Sequence, residues 1–512
     1  MGRRVRSAPS HPLVAASLDR LGRGTALAAA RAAFDRIGEG LAAPMRVALV
    51  GRVSAGKSTL ANALLGGYRA PTGVNELTRN VNWITRGAQP SVTVHHSDGR
   101  PPQRHDIADL ERLTVHAVGD DPETLRWKEY LATIEYLKIT DPAPYLEAFD
   151  LVDTPGLDSV LGVDSATTLR FLDGPVDAVV LVFSRAVHSS ETELLRALQG
   201  SALATGPINT IAALTRVEAY WEWPDVPDPH RVARRVVDQA RTVPGVAEVV
   251  YELVPVASLV GSAAAVLSEQ NLHDLRALAA LPTDTLGWSL GSADEFAADE
   301  LPVPPARRRA LHRLLHGYGI MLACEVVRNG ADDLDTVRAE IDAISGMAAF
   351  RQLLVDHFGA RADLLKLNRA YSRVQALPGE HVGLQPREQV ALTDAMREFI
   401  RHGQAANPRF RELEVLRTHY EGRLGDLSAS DVDDLLRITG ERGASPAARL
   451  GLPPGTPVEE LRAQGRDGLR RWAELDVIGG FDGPTRFAVA VARRAYERLL
   501  GELDDVRREG PW

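Results

Sequence analysis

The segment from Gly51 to Ser58 restricts the fold of this chain more than any other feature of the sequence. It reads Gly-Arg-Val-Ser-Ala-Gly-Lys-Ser and fills every fixed position of the pattern GxxxxGK[ST]. A predicted strand, Val47–Val50, precedes it, and residues 58–65 follow with a helical pattern. Glycines let backbone N–H groups close around a phosphate, and a helix N-terminus attracts anions. The sequence therefore predicts a phosphate site in an α/β domain.

The side chains of this segment have distinct predicted tasks. Lys57 places a compact charge on the β- and γ-phosphates, where a planar guanidinium would fit badly. It is one of only four lysines among 59 basic residues, so chemistry is a reason for its presence. Ser58 offers an oxygen to Mg²⁺. We expect the nucleotide to be bound here by Gly51, Ser54, Ala55, Gly56, Lys57, Ser58 and Thr59.

A second element, Asp153-Thr-Pro-Gly156, follows the predicted strand Phe149–Val152. A carboxylate at the end of a strand can hold Mg²⁺ through water, which makes Asp153 a candidate metal residue. The backbone N–H of Gly156 is predicted to reach the γ-phosphate. Thr78 is the candidate that caps Mg²⁺ and closes over the γ-phosphate, and Thr72 competes for that role. The predicted metal residues are therefore Ser58, Thr78 and Asp153.

The base site is predicted at Thr215-Arg-Val-Glu218, after the strand Thr210–Leu214. The acid at Glu218 can accept hydrogen bonds from guanine N1–H and N2–H₂, and the Arg216 side chain can cover the ring. The alternative interpretation is a helix start in an ATPase or in an enzyme indifferent to the base. Farther along, Ala257 and Ser258 are candidates to donate a backbone N–H to the guanine oxygen.

Strands alternate with helical stretches up to about residue 260, and further apolar runs occur at Ala178–Phe183 and Val249–Val256. This alternation predicts a doubly wound, mostly parallel sheet. Beyond it the pattern is almost entirely helical and indicates an elongated α-helical bundle. The predicted divisions are a disordered N-terminus at 1–12, a helix at 13–44 that joins the helical neck, the α/β domain at 45–282, a linker at 283–305, and the neck and trunk at 306–512.

Composition excludes several classes of protein. The net charge of −9 argues against a nucleic-acid partner, because such proteins usually carry a basic excess. A single cysteine, Cys324, cannot form an internal disulfide and is typical of a reducing, cytoplasmic compartment. We find no apolar run long enough to predict a transmembrane helix.

Taken in order, these motifs resemble those of the dynamin-like GTPases, especially the shorter actinobacterial members of the isoniazid-inducible type. The residues that carry the resemblance are the loop from Gly51 to Ser58 with its serine at Ser54, then Thr78-Arg79 and Asp153-Thr-Pro-Gly156. The resemblance covers about 45–260 by motif and the rest by helical pattern alone. The base motif departs from the usual [NT]-K-x-D.

The resemblance implies a P-loop GTPase domain with a helical neck and trunk, GTP/GDP and Mg²⁺ as ligands, and hydrolysis of GTP to GDP and phosphate. It further implies that pairing of two G domains stimulates hydrolysis. Leu157 stands where Ras-like enzymes place a water-orienting glutamine, and dynamin-like proteins also lack that glutamine. Ser54 lies at the position that helps hold a monovalent cation in this family. Ser54, Lys57 and Thr78 are then the candidate catalytic residues.

The implied partners are a second copy of the chain, a second dynamin-like protein, and membrane lipid at the tip of the stalk. The segment Asp476–Phe481 is either such a tip or a turn with buried Ile and Phe side chains. A peripheral position at the inner face of the plasma membrane follows from this interpretation. Two other functions remain open, namely a GTP-binding switch or scaffold with little turnover, and a ribosome-associated GTPase.

Overall fold

The computed structural model describes residues 11–22, 27–67, 81–114, 121–155, 176–184, 207–243, 246–381, 383–407, 409–420, 422–443, 445–481 and 483–509. The chain divides into two compact units. One comprises Arg46–Ser201 and Thr210–Val355, and the other comprises Met1–Met45, Ala202–Asn209 and Asp356–Trp512.

Nine strands of the described residues form one sheet in the order β4-β3-β5-β2-β6-β1-β7-β8-β9. They are β1 (Arg46–Val50), β2 (Val81–Arg86), β3 (Ser91–His96), β4 (Gln103–His105), β5 (Ile134–Asp141), β6 (Asp150–Asp153), β7 (Ala178–Ser184), β8 (Thr210–Thr215) and β9 (Glu252–Pro255).

The described helices, in chain order, are α1 (Pro12–Leu21), α2 (Ala28–Ala42), α3 (Lys57–Leu65), α4 (Leu110–Thr114), α5 (Pro122–Ala132), α6 (Pro229–Arg241), α7 (Val246–Val249), α8 (Ser258–Val266), α9 (Glu269–Ala279), α10 (Thr283–Ser289), α11 (Ala293–Ala298), α12 (Pro305–Arg328), α13 (Leu334–Ile344), α14 (Met347–His357), α15 (Ala362–Glu380), α16 (Pro386–Ala406), α17 (Phe410–Tyr420), α18 (Ala429–Ile438), α19 (Pro446–Leu450), α20 (Val458–Ile478) and α21 (Gly483–Glu509).

The sheet has a parallel half and a mixed half. Strands β6, β1, β7, β8 and β9 run parallel, and the apolar residues of the first four are buried on both faces, as expected for parallel strands. Strand β2 lies antiparallel to β6, pairs in parallel with β5, and is followed in the sheet by β3 and β4. The prediction of a mostly parallel sheet is confirmed, because five of the eight pairings among the described strands are parallel.

The carboxyl ends of the parallel strands position the candidate site. The loop after β1, the end of β6, the loop after β8 and the loop after β9 all lie at this edge of the sheet. Ligands of open α/β sheets bind outside the carboxyl ends of the strands. The four predicted motifs therefore come to one edge through the register of the sheet.

The predicted linker at 283–305 is wrong. It contains α10 and α11, with Leu286 and Phe296 fully buried. Ser292 caps α11, and the buried guanidinium of Arg308 donates to three backbone carbonyls of the same stretch. Glycines and prolines therefore separate two short packed helices here and do not mark a flexible connection.

The predicted boundary between the two domains also differs from the structure. The α/β unit continues to Val355, so α12 and α13 belong to it and not to the helical unit. The backbone N–H of Ala257 donates to the Ser345 carbonyl at 2.9 Å, and Arg351 donates to the Ala63 carbonyl at 2.9 Å. These bonds fix residues C-terminal to 306 against the sheet domain.

Among the described residues of the helical unit, two hydrophobic cores are present. The first is formed by apolar residues of α1, α2, α15 and α16 together with Phe410, and the second by residues of α17 to α21, centred on the fully buried Trp472. The sequence predicted one helix at 13–44, but the described residues there form two, and the first ends at Gly22 with φ +62°. The predicted disordered segment ends earlier than expected because Pro12 begins α1; residues 1–10 lie outside the described part of the chain.

Candidate functional site

The loop between β1 and α3 requires glycine at two positions. A Cβ atom on Gly51 would lie 2.4 Å from the Val182 carbonyl oxygen, so only glycine lets the loop pass this close to β7. Gly56 precedes the first residue of α3 with φ +92°, a conformation that side chains disfavour. The loop consequently directs its backbone toward the N-terminus of α3, where anions are favoured.

The side chain of Lys57 lies across the loop that precedes it. It is only 6% exposed, and its Nζ donates to the carbonyls of Gly51 at 3.1 Å and of Arg52 at 3.0 Å. These bonds hold the ammonium group against the loop. A compact cation at this point suits the charge of a bound polyphosphate.

Ser58 and Asp153 meet although 95 residues separate them in the chain. The Ser58 hydroxyl donates to Oδ2 of Asp153 at 3.0 Å. Oδ1 of the same carboxylate is buried and has no hydrogen-bond partner among the described residues. Burial raises the pKa of Asp153 to about 6, while the Lys57 charge and the Ser58 hydrogen bond act in the opposite direction.

This pair fits the ligand chemistry of Mg²⁺. A hydroxyl and a carboxylate are hard oxygen donors, and Oδ1 of Asp153 is a buried acceptor without a partner in the described structure. The neighbouring Thr154 hydroxyl donates to the Leu49 carbonyl at 2.7 Å and so holds the end of β6 against β1. Thr59 follows Ser58 in the first turn of α3.

Thr215 connects the base motif to the phosphate loop. Its buried Oγ1 lies 2.6 Å from the Ala55 carbonyl and 2.8 Å from the Phe183 carbonyl. The hydroxyl is therefore turned toward the loop and strand β7, and its hydrogen bonds stabilise the phosphate loop. Thr215 was predicted to face the base. Because its hydroxyl is turned toward the loop, Arg216 and Glu218 are the better candidates in this motif for a contact with the base.

Arg216 and Glu218 differ in exposure. Arg216 is exposed and has a left-handed backbone with φ 58°. Glu218 is half-buried, and its Oε2 is excluded from solvent without a hydrogen-bond partner among the described residues. Burial raises the pKa of Glu218 to about 7, against the opposing effects of a backbone hydrogen bond and the Arg216 charge. A carboxylate with an unused acceptor is the group that guanine recognition requires.

One predicted base contact needs a correction. The N–H of Ala257 is already bonded to the Ser345 carbonyl at 2.9 Å, so it is not available to a guanine oxygen. Ser258, the first residue of α8 and 1% exposed, is the remaining candidate in this segment. The sequence could not reveal this competition because Ser345 is distant in the chain.

Several predicted residues lie outside the described part of the chain, namely Thr72, Thr78, Gly156 and Leu157. One described residue was missed by the sequence analysis. Asn82 on β2 is fully buried and pairs directly with Asp153 on β6. Asn82 can be recognised as a neighbour of Asp153 only from the register of the sheet, and the sequence pattern does not contain that register.

Comparisons with known proteins agree with this geometry. Residues 47–216 match the family model described as the dynamin family. The isoniazid-induced protein IniC of Mycobacterium tuberculosis is 32% identical over 478 residues, which cover 90% of each chain. A bacterial dynamin-like protein of Nostoc punctiforme is 29% identical over 115 residues, 22% of this chain and 17% of that one. A solved structure of an oligomerised bacterial dynamin pair aligns with 96% of this chain and 90% of that one, at 12% identity and a TM-score of 0.35, too weak an overlap to add to the sequence match.

Proposed function

Because the chain belongs to the bacterial dynamin-like GTPase family, we propose that it couples GTP hydrolysis to the remodelling or maintenance of a membrane. The chain binds GTP and GDP and hydrolyses GTP to GDP and phosphate, as members of this family do.

The described residues support a phosphoryl-transfer site that works by positioning and charge. Lys57 is held against the loop by two carbonyls, and its ammonium group would balance charge on the β- and γ-phosphates. Ser58 and Asp153 are the residues that would hold Mg²⁺, which neutralises phosphate charge when it is bound. Glu218 would accept the guanine N–H groups and thereby select the base.

We further propose that a second G domain completes the site. Leu157 cannot hydrogen-bond to a water molecule, so the attacking water needs another positioning group. Ser54 is exposed on the phosphate loop and has φ 60°, a conformation that costs a non-glycine residue about 1 kcal/mol. Strain of this kind is found at functional sites, which supports a role for Ser54 in holding a monovalent cation where two G domains meet.

The observation that favours a membrane contact is the exposure of two apolar residues at the end of α20. Val477 is 84% exposed and Ile478 is 80% exposed, whereas Leu475 and Phe481 on either side pack against the second helical core. Gly479 and Gly480 follow, so the apolar pair lies at the turn between α20 and α21. Of the two interpretations of Asp476–Phe481, the exposed tip is therefore the one that we propose.

A peripheral attachment is consistent with the described helices. None of them is long and apolar enough to cross a membrane. We propose the cytoplasmic side of the plasma membrane as the site of action, with a second copy of the chain or a second dynamin-like protein as partner.

Vesicle binding tests the tip. Burying one Val or Ile side chain is worth about 1.5–3 kcal/mol, so replacing both should weaken binding strongly. We expect Val477→Ser combined with Ile478→Ser to lower co-sedimentation with anionic liposomes at least about tenfold. The matched control is Val390→Ser on α16, which removes another exposed valine, 60% exposed, away from the turn. Equal binding by the double variant and the control would contradict the proposal.

A further inference from the structure

We propose that Asn82 is a positioning residue of the metal side of the site, oriented toward Asp153 and the Mg²⁺ coordination shell. The inference rests on the proposed Mg²⁺ role of Ser58 and Asp153. It extends that role to a residue on the antiparallel neighbour of β6, which the sequence motifs do not include.

The register places Asn82 beside the metal carboxylate. Strand β2 runs antiparallel to β6, and Asn82 lies directly opposite Asp153. Directly opposed residues of two strands have their side chains on the same face of the sheet, close enough to interact. Ser58 reaches Asp153 on that face through its hydroxyl. The three side chains therefore share one small region at the carboxyl end of β6.

Two of these side chains, Asn82 and Asp153, have buried polar atoms without a partner of full hydrogen-bond geometry among the described residues. Asn82 is 0% exposed, and neither its Nδ2 nor its Oδ1 has such a partner among the described residues. Oδ1 of Asp153 is in the same situation. A buried amide without partners destabilises a protein, so an apolar residue would be the better choice if this position only filled space.

The three atoms form a complementary set. The Asn82 amide can donate Nδ2–H to Oδ1 of Asp153, and its own Oδ1 could accept a hydrogen bond from a water molecule of the metal shell. The amide adds no charge to the site, whereas a second carboxylate opposite Asp153 would repel it. Residues that orient metal ligands typically change metal affinity 10–100-fold when mutated, which sets the expected scale.

The test is the Mg²⁺ dependence of GDP binding, measured with a fluorescent GDP derivative. In Asn82→Leu we expect the half-saturating Mg²⁺ concentration to rise about tenfold. GDP affinity in excess EDTA should change less than about twofold, and the thermal unfolding midpoint without nucleotide should stay equal or rise, because a poorly paired amide has been removed. A purely structural asparagine would not separate these readouts in this way.

Two further variants keep the result decisive. Ile84→Val is the matched control, since Ile84 is fully buried two residues along the same strand, opposite Leu151, and should leave the Mg²⁺ dependence unchanged. Asn82→Thr, which puts a hydroxyl donor and acceptor in place of the amide, should show a smaller shift than Asn82→Leu. Unchanged Mg²⁺ half-saturation in both Asn82 variants would overturn the inference. GDP binding that is indifferent to Mg²⁺ in the unmodified protein would instead overturn the proposed metal role itself.

Discussion

At the scale of single residues, the base site departs from the usual family motif in a way that has a measurable consequence. Glu218 carries the acceptor on a longer side chain than the usual aspartate, and its Oε2 is buried without a partner in the described structure. Because burial raises the pKa of Glu218 to about 7, the free protein holds a proton there at mildly acidic pH. A protonated carboxyl cannot accept both guanine N–H groups.

The pH dependence of GDP binding follows from this. Below the pKa of about 7, guanine binding must release the proton from Glu218, so affinity should rise with pH and level off above it. Between pH 6 and 8 we expect the unmodified protein to gain about tenfold more GDP affinity than Glu218→Gln, which has no proton to lose. Fluorescence titration of GDP at saturating Mg²⁺ measures both.

Comparing the change in GDP affinity with pH between the unmodified protein and Glu218→Gln removes the contributions of the nucleotide and of other titratable groups. Glu222→Gln is the matched control, since Glu222 is an exposed glutamate close by in the chain. It should keep the slope of the unmodified protein. If Glu218→Gln kept that slope as well, Glu218 would not face the base.

Single residues also mark the limit of what the sequence predicts. The pattern from Gly51 to Ser58 is local, so its residues could be assigned directly. The bond between the Ser345 carbonyl and the backbone N–H of Ala257 was not predictable, because it depends on contacts between distant segments. Asn82 was missed for the same reason, since its partner is defined by the pairing of β2 with β6.

At the scale of elements, the apolar strands of the parallel half of the sheet were predictable from the sequence, and the strands of the mixed half were not. Strands β1, β6, β7 and β8 are short continuous apolar runs because both faces of the sheet are covered. By contrast, β5 includes charged and polar residues on its half-exposed positions. Short helices such as α10 and α11 resembled a linker because their turn residues dominate the local pattern.

The link between the phosphate loop and β8 gives a prediction at this scale. Thr215→Val keeps the shape of the side chain and removes the hydroxyl that bridges to the Ala55 and Phe183 carbonyls. We expect a loss of about 1–3 kcal/mol in the free energy of unfolding, together with weaker GDP binding, because buried carbonyls lose a partner and the loop loses its support. Denaturant unfolding and GDP titration measure the two effects.

Thr210→Val provides the comparison for this variant. Thr210 is buried in the same strand but lies at its opposite end, away from the phosphate loop. Its replacement should leave GDP affinity unchanged. If GDP affinity fell equally in both variants, the effect would belong to the strand in general and not to the contact with the loop.

At the scale of the whole molecule, the chain consists of an α/β unit that contains the candidate site and a helical unit whose described residues form two cores. The sequence predicted both kinds of structure, but it placed the boundary near residue 306 and the structure places it at Val355. Helical periodicity could not locate this boundary, since α12 and α13 have the same pattern as the helices that follow. Only their contacts with the sheet domain distinguish them.

The central claim is that a site built around Lys57, Ser58 and Asp153 reaches full activity only when two G domains meet. The measurement that tests it most directly is GTP turnover per molecule over a roughly hundredfold range of protein concentration, since a missing charge stabiliser is worth about 10²–10³ in rate. We predict that turnover per molecule rises at least about tenfold over that range in the unmodified protein and stays near its dilute value in Ser54→Ala. Turnover per molecule that is flat in the unmodified protein would contradict the claim.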